Sequence, residues 1–444
     1  MKKMLLVLAS TTLMLTSAFA SVPKGKERKL YVGTNSTEAL LEFNATVELD
    51  TARTPQEKTM RNAIEAQLEH IIGPMSLTQY TAVPKGDHTV SEIKIVSKTT
   101  KTITIGYKYQ GTIVLQNGPQ GTYGIYLPIN PAKIYTRAMV GEYNPCTDDH
   151  YQSEGDFWYF WSPEREGCKL TEGKDYVIVK AKVQRYTNSK LTYPEYQNLP
   201  DANGNVTVHV LFGMDDPELN RNPLKSKDIN AYNYREFRNY LIKNGYTATT
   251  WTENQVKSVA KSLNGDAPFV ETIQKGKLVY RFFYGPTGID EDSLAFHWFY
   301  KDALENASIM MYEGHSGLGG HLNLDAIEES LGETIQFSKR YQIYFFDSCT
   351  SYKYYNTAYF ERKATAKDPK GSKKLDIFTN GLATAFSAMP AASAAIAMAL
   401  EKSLTHAQLG SAFVSYQTIA KQIDSENLFG INGDEDNVAP TKIK

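Results

Sequence analysis

Cysteine is scarce in this chain of 444 residues: there are three, Cys146, Cys168 and Cys349. No two of them form a C-x-x-C pair, and the eight histidines never take the H-E-x-x-H spacing, so no zinc motif is present. Net charge is almost lacking. The 48 Lys and Arg against 49 Asp and Glu leave −1, without the basic excess of a dedicated nucleic-acid binder. Long apolar runs are missing beyond the first residues. The best later stretch, Ala391 to Leu400, is far too short to span a bilayer. There is no internal repeat. What is plentiful is aromatic: 29 Tyr, 19 Phe and 4 Trp supply core material that excludes a mostly disordered chain.

The start reads as a secretory signal. Lys2 and Lys3 precede a mostly apolar stretch from Met4 to Leu15, and Ala18-Phe19-Ala20 closes it, which predicts cleavage after Ala20. No cysteine follows for a lipid anchor. Loss of the two lysines takes the net charge to −3. The expectation is an exported bacterial protein, periplasmic or extracellular. In an oxidising compartment three thiols cannot all pair. Cys146 and Cys168 lie 22 positions apart in one loop-rich segment, a separation that suits a disulfide contributing on the order of 3 kcal/mol. Any two of the three could pair on sequence grounds. If Cys146 and Cys168 do, Cys349 is left over.

The mature chain divides in texture. Residues 21–200 are strand-rich α+β. Glu92 to Val96, Thr100 to Tyr109 and Thr112 to Gln116 read as strands punctuated by Gly111, Gly118 and Gly121. One helix interrupts them, with Thr54 as cap, Pro55 at its first position, Glu57 three after the cap, and Gly73-Pro74 as its stop. Phe157 to Trp161 reads as an aromatic strand. From 201 to 444 strands alternate with helices. Strands are expected at Val206 to Phe212, Leu278 to Phe283, Ser308 to Tyr312, Tyr341 to Phe346 and Leu375 to Phe378. Between and after them come helices around Tyr234 to Leu241, after a Thr252–Gln255 capping box, at Ser293 to Leu304 and Leu324 to Leu331, and after Pro390. Such alternation predicts an α/β fold with a mostly parallel sheet between helices, and ligands in such sheets sit beyond the carboxyl ends of the strands.

Two strand ends carry chemistry. Ser308 to Glu313 runs into Gly314-His315-Ser316-Gly317-Leu318-Gly319-Gly320, and Tyr341 to Phe346 runs into Asp347-Ser348-Cys349. If the strands are neighbours, an imidazole faces a thiol. The imidazole can take the thiol proton, and the glycines let backbone N–H groups approach an oxyanion.

An apolar strand ending in His plus glycines, then a second ending in Cys, resembles the caspase-fold cysteine peptidases, among them caspases, legumains, gingipains, separases and clostripain. Phe346-Asp347-Ser348-Cys349 is similar to the clostripain pattern, in which an Asp two residues before the nucleophile lines the S1 pocket. The resemblance covers roughly Val206 to the C-terminus. It implies a caspase-like three-layer αβα sandwich at 201–444, preceded by the strand-rich N-terminal domain. It further implies peptide hydrolysis with Cys349 as nucleophile, His315 as acid and base, and backbone N–H groups around Ser316 and Gly317 and at Cys349 as oxyanion donors. Asp347 would select Arg or Lys, as a fixed carboxylate selects a cation. The substrate would be a polypeptide, with no organic cofactor, no metal, no nucleic acid and no membrane span. The departure from the pattern is Ser316, where the family has Gly directly after the histidine.

The same stretch resembles the GHSxGG elbow of lipases with one glycine inserted. Ser316 would then attack, His321 or His406 would serve as base, and Asp376 as acid, although the required G-x-S-x-G has Leu318 at its fifth position. A secreted binding protein that kept the fold without activity is the third reading. Gly433-Asp434-Glu435-Asp436-Asn437 is an oxygen-rich turn that could take calcium but lacks EF-hand spacing. Glu361 to Lys374 reads as a solvated basic loop, and an enzyme cutting after Lys or Arg could process itself there.

Overall fold

The computed structural model describes residues 31–79, 82–118, 121–186, 190–263, 267–289, 293–384, 386–409, 413–423 and 427–441. The expected signal segment, residues 1–20, lies outside the described residues, as does the side chain of His406. No helix among the described residues is long and apolar enough to cross a membrane.

The chain builds two sheets. Strand β1 (Val32–Gly33) leads into β2 (Ser36–Leu49). With β3 (Ala82–Lys98), β4 (Ile103–Gln116), β5 (Gly121–Pro128) and β6 (Tyr176–Arg185), β2 forms a five-stranded sheet of order β3-β4-β2-β6-β5, antiparallel throughout. The two strands expected on either side of Gly111 are one. Gly111 stays within β4 because a side chain there would meet the Tyr109 hydroxyl, 2.3 Å from the position of a Cβ. The helix Glu57–Glu69 packs Ala63, Ile64 and Leu68 into the core of this sheet. Its entry differs from expectation: Gln56 occupies the cap position with no side-chain bond, and Gly73-Pro74 lie in a further short helix, Ile72–Pro74. The aromatic run from Phe157 is not a strand. Phe157–Phe160 is one helical turn, inside the loop closed by the Cys146–Cys168 disulfide. Phe157, Trp161 and Cys146 share a small core of their own there.

The second sheet has nine strands. It adds β7 (Val206–Gly213), β8 (Thr247–Thr250), β9 (Phe269–Lys275), β10 (Leu278–Gly285), β11 (Ile309–Glu313), β12 (Gln342–Asp347), β13 (Leu375–Thr379) and β14 (Gly430–Asn432) to β1, in the order β1-β14-β13-β12-β11-β7-β10-β9-β8. The five central strands, β13 to β10, run parallel; the outer pairings on both sides are antiparallel. The sheet is therefore mixed rather than mostly parallel. The difference lies at the edges, where the short polar β8 and the Gly276 hairpin between β9 and β10 carry little of the apolar signal that marks the centre.

Alternation along the central strands feeds two cores. Val208, Val210, Phe212, Ile309, Met311, Ile343 and Phe345 pack with the helices Ile229–Lys243, Met389–Leu409 and Tyr416–Ile423. Leu211, Met310, Tyr312, Tyr344 and Phe346 pack with Leu294–Asn306, Leu324–Leu331 and Thr357–Lys363. Helices thus cover both faces, and strands buried on both sides read as continuous apolar runs. The Thr252 capping box forms with both bonds in place, and Gly245, at φ +86°, follows Ile229–Lys243 as its stop.

The sheets are joined through buried contacts. Glu38 of β2 accepts hydrogen bonds from Tyr352 Oη (2.8 Å) and Asn432 Nδ2 (3.0 Å), with Lys85 Nζ at 3.8 Å. Tyr31, Val83, Val114, Tyr352 and Leu428 form a common apolar cluster. Because β1 pairs with β14, the first described strand belongs to the larger sheet.

Candidate active site

The parallel register aligns the strand ends. Glu313 of β11 pairs with Asp347 of β12, and Phe212 of β7 pairs with Glu313. His315 and Cys349 therefore each lie two residues past the ends of adjacent strands, and Asp215 two past the end of β7. Neighbouring strands are about 4.8 Å apart, so these three residues start from one small area of the sheet's carboxyl edge.

His315 is held from two sides. Its Nε2 hydrogen-bonds Asp215 Oδ1 at 2.7 Å, and its ring packs edge-on against Phe386 at 5.0 Å between centroids. Both partners of the bond are open to solvent, with side chains 44% and 42% exposed. Asp215 is itself positioned. The buried Asp228 carboxylate caps Ile229–Lys243 by accepting from the amides of Asn230 and Ala231, and its other oxygen accepts from the amides of Asp215 (2.9 Å) and Asp216 (2.8 Å). Asn230 Nδ2 then donates to Gly213 O at 2.6 Å. A carboxylate oriented in this way fixes the ring and its tautomer, leaving Nδ1 for chemistry.

The turn after His315 is fixed by its own backbone. Ser316 O accepts from the amides of Gly319 (2.9 Å) and His321 (3.1 Å) and from Tyr355 Oη (2.9 Å). Gly317 has φ +53°, and a Cβ there would lie 2.1 Å from the His321 ring. The Ser316 amide makes no hydrogen bond among the described residues, as an oxyanion donor requires.

Cys349 is the free thiol, since Cys146 and Cys168 are joined to each other. The turn that carries it is tied to β13. Ser351 Oγ donates to Asn380 Oδ1 (2.7 Å) and accepts from the Asn380 amide (2.9 Å); the Thr350 amide reaches Leu382 O at 3.0 Å. Thr350 sits at φ +52°, a left-handed conformation that costs of order 1 kcal/mol for a β-branched residue. Its hydroxyl is hydrogen-bonded to Tyr159 Oη of the disulfide-closed loop. Burial pushes the Cys349 thiol up, opposed by the amide of Thr384 and assisted by the Asp347 carboxylate. The ring hydrogen bond of His315 goes to Asp215 and not to the thiol. The resting pair is thus a thiol and an imidazole on adjacent strand ends, joined by no direct hydrogen bond.

Asp347 is 2% exposed. Burial lifts its carboxyl to about 7, against a hydrogen bond from the Thr384 side chain. Its Oδ1 has no partner.

Other expected residues fall elsewhere. Asp376 sits at the amino end of β13, paired with Ile343, and its Oδ2 accepts from Tyr341, Tyr416 and Asn437. It lies at the opposite end of the sheet from Ser316, so the structure does not bring that serine and acid together. In the 433–437 turn, Asp436 accepts from Ser372 Oγ (2.7 Å) and Asn437 donates to Tyr193 O (2.8 Å). No group of three or more His, Cys, Asp or Glu among the described residues is placed to hold a metal. The 361–374 segment is more ordered than a solvated loop. Thr357–Lys363 is helical, and the Asp368 carboxylate accepts from the amides of Gly371 and Lys373.

Asp215 was not singled out by its own sequence context, Met214-Asp215-Asp216-Pro217, which reads as a turn. The available signal was its place just after the buried strand Val206 to Phe212. Set against family models, curated proteins and solved structures, the chain matches none of them.

Proposed function

We propose that this chain is an exported cysteine endopeptidase of caspase-like fold that cleaves peptide bonds after Arg or Lys, with Cys349 as nucleophile and His315 as acid and base. The observation that carries this reading is the in-register pairing of β11 with β12. It starts a thiol and an imidazole from adjacent strand ends, the imidazole already oriented by Asp215 at 2.7 Å.

The chemistry follows from the groups. Cys349 Sγ attacks the scissile carbonyl carbon as its proton passes to His315 Nδ1. The carbonyl oxygen becomes an oxyanion, met by N–H groups at Ser316 and Gly317. His315 returns the proton to the departing amine nitrogen as the C–N bond breaks, leaving a thioester. Water, losing a proton to His315, then releases the acid and restores the thiol. Asp215 stabilises the imidazolium throughout. Asp347 is the proposed anchor for the substrate cation.

The test is hydrolysis of fluorogenic Arg and Lys peptides under reducing conditions. Wild type should cleave them, and Cys349→Ala and His315→Ala should not. Equal hydrolysis by wild type and Cys349→Ala would sink the reading.

A further inference from the structure

Asp347 does not stand alone at the carboxyl edge of the sheet. Its register partner is Glu313, the last residue of β11. Paired residues of adjacent strands share a face, and alternation puts both on the face covered by Met389–Leu409, since Ile309, Met311, Ile343 and Phe345 lie in that core. Glu313 is 0% exposed and touches that helix through Ser393 Oγ, which donates to its Oε1. Its Oε2 is buried without a hydrogen-bond partner, as is Asp347 Oδ1. Neither carboxyl forms an ion pair with any Lys, Arg or His among the described residues, whereas the buried Glu271 pairs with Arg238 at 2.7 Å. Burial raises the Glu313 carboxyl well above its ordinary value, and the neighbouring Asp347 adds to that.

Buried carboxyls are rare unless paired, and two side by side with an open oxygen each form an incomplete arrangement. A planar guanidinium or amidinium completes it, since it carries several donors in one plane and a charge that offsets both acids. We propose that Glu313 is a second specificity-determining carboxylate, which together with Asp347 binds the cationic side chain of the substrate and favours Arg over Lys. The inference rests on the peptidase reading for its substrate but not for its ligand. The cation site can be tested without turnover.

The probes are benzamidine and agmatine, titrated by calorimetry into the full-length Cys349→Ala protein. Both should bind, and Glu313→Gln and Asp347→Asn in that background should each weaken binding at least about tenfold. Glu313→Asp, which keeps the acid but withdraws it by one methylene, should weaken binding less; it also serves if Glu313→Gln does not fold. With an intact thiol, Glu313→Gln should lower kcat/KM for an Arg peptide at least about tenfold and leave a citrulline peptide unchanged. No binding of either probe, equal binding by parent and Glu313→Gln, or an equal fall for Arg and citrulline peptides would each overturn the proposal. Should wild type hydrolyse nothing while benzamidine binding still depends on Glu313, the cation site stands and the peptidase reading falls.

Discussion

Two buried polar sites, one at each sheet, keep different company. Under the five-stranded sheet, Gln67 is wholly buried and fully used: Nε2 donates to Thr46 O (2.9 Å) and Pro128 O (2.5 Å), and Oε1 accepts from Tyr107 Oη (2.6 Å). At the carboxyl edge of the nine-stranded sheet, Glu313 and Asp347 each keep an oxygen with no partner, beside a free thiol. A satisfied buried group stabilises a fold. An unsatisfied one is retained at a cost, and two side by side beside a free thiol are the pair a ligand could complete.

The sharpest way to break this contrast is at the thiol. Cys349→Ala and His315→Ala should each lower peptide hydrolysis by about a thousandfold or more with little loss of stability, whereas Gln67→Ala should leave kcat intact and cost about 2 kcal/mol in denaturant unfolding. Stability loss should be larger still for the paired Cys146→Ser and Cys168→Ser variant, about 3 kcal/mol, because the disulfide closes the loop that carries Phe157 and Trp161. Asp215→Asn should reduce kcat by roughly 10- to 100-fold while KM for the same peptide stays within about twofold, since Asp215 acts through His315. A fall in KM-linked binding instead would place Asp215 against the substrate.

The pH response distinguishes the edge from the rest. Burial lifts both Asp347 and Asp376 from the ordinary 3.8 to about 7. The folded chain therefore holds these protons more tightly than the unfolded one. Their contribution to stability is full below pH 3.8 and is lost as pH rises through about 7. Thermal unfolding should occur at a lower temperature at pH 8 than at pH 6, and Asp376→Asn should flatten that slope. Cleavage after Arg should change the other way, rising through about pH 7 as Asp347 ionises. The smallest effect expected is for Tyr159→Phe, which removes the hydroxyl bonded to Thr350 beside Cys349. It should cost about 1 kcal/mol and lower kcat more than KM.

The central strands were readable because strands buried on both faces leave continuous apolar runs, as in Val206 to Phe212. The residues just past them could be inspected for chemistry by position alone. His315 and Cys349 were singled out that way, and Asp347 through the likeness of its stretch to the clostripain pattern. Asp215 and Glu313 were not. The first is bonded to a histidine 100 positions away, a distance no local pattern spans. The second stands in an apolar run, where a lone acid reads as the polar end of a strand. The aromatic run at Phe157 was misread for a different reason. Aromatics favour strands in general, but here a disulfide-closed loop packs them as one helical turn around Trp161. The outer strands were missed because Thr247–Thr250 is short and polar, and its place is set by pairing with Phe269–Lys275.

The joint at Glu38 bears on how such a protein could be matured. A precursor whose leading half is an inhibitor must let go of that half once the chain is cut. Here the leading half supplies an edge strand to the larger sheet and the buried carboxylate that Tyr352 and Asn432 donate to. Its stripping would remove the carboxylate that Tyr352 and Asn432 donate to and leave β14 with a bare edge. Nicking between the sheets should therefore yield two fragments that remain one particle through gel filtration. Separation of the fragments would instead show that the joint at Glu38 does not hold the two sheets together.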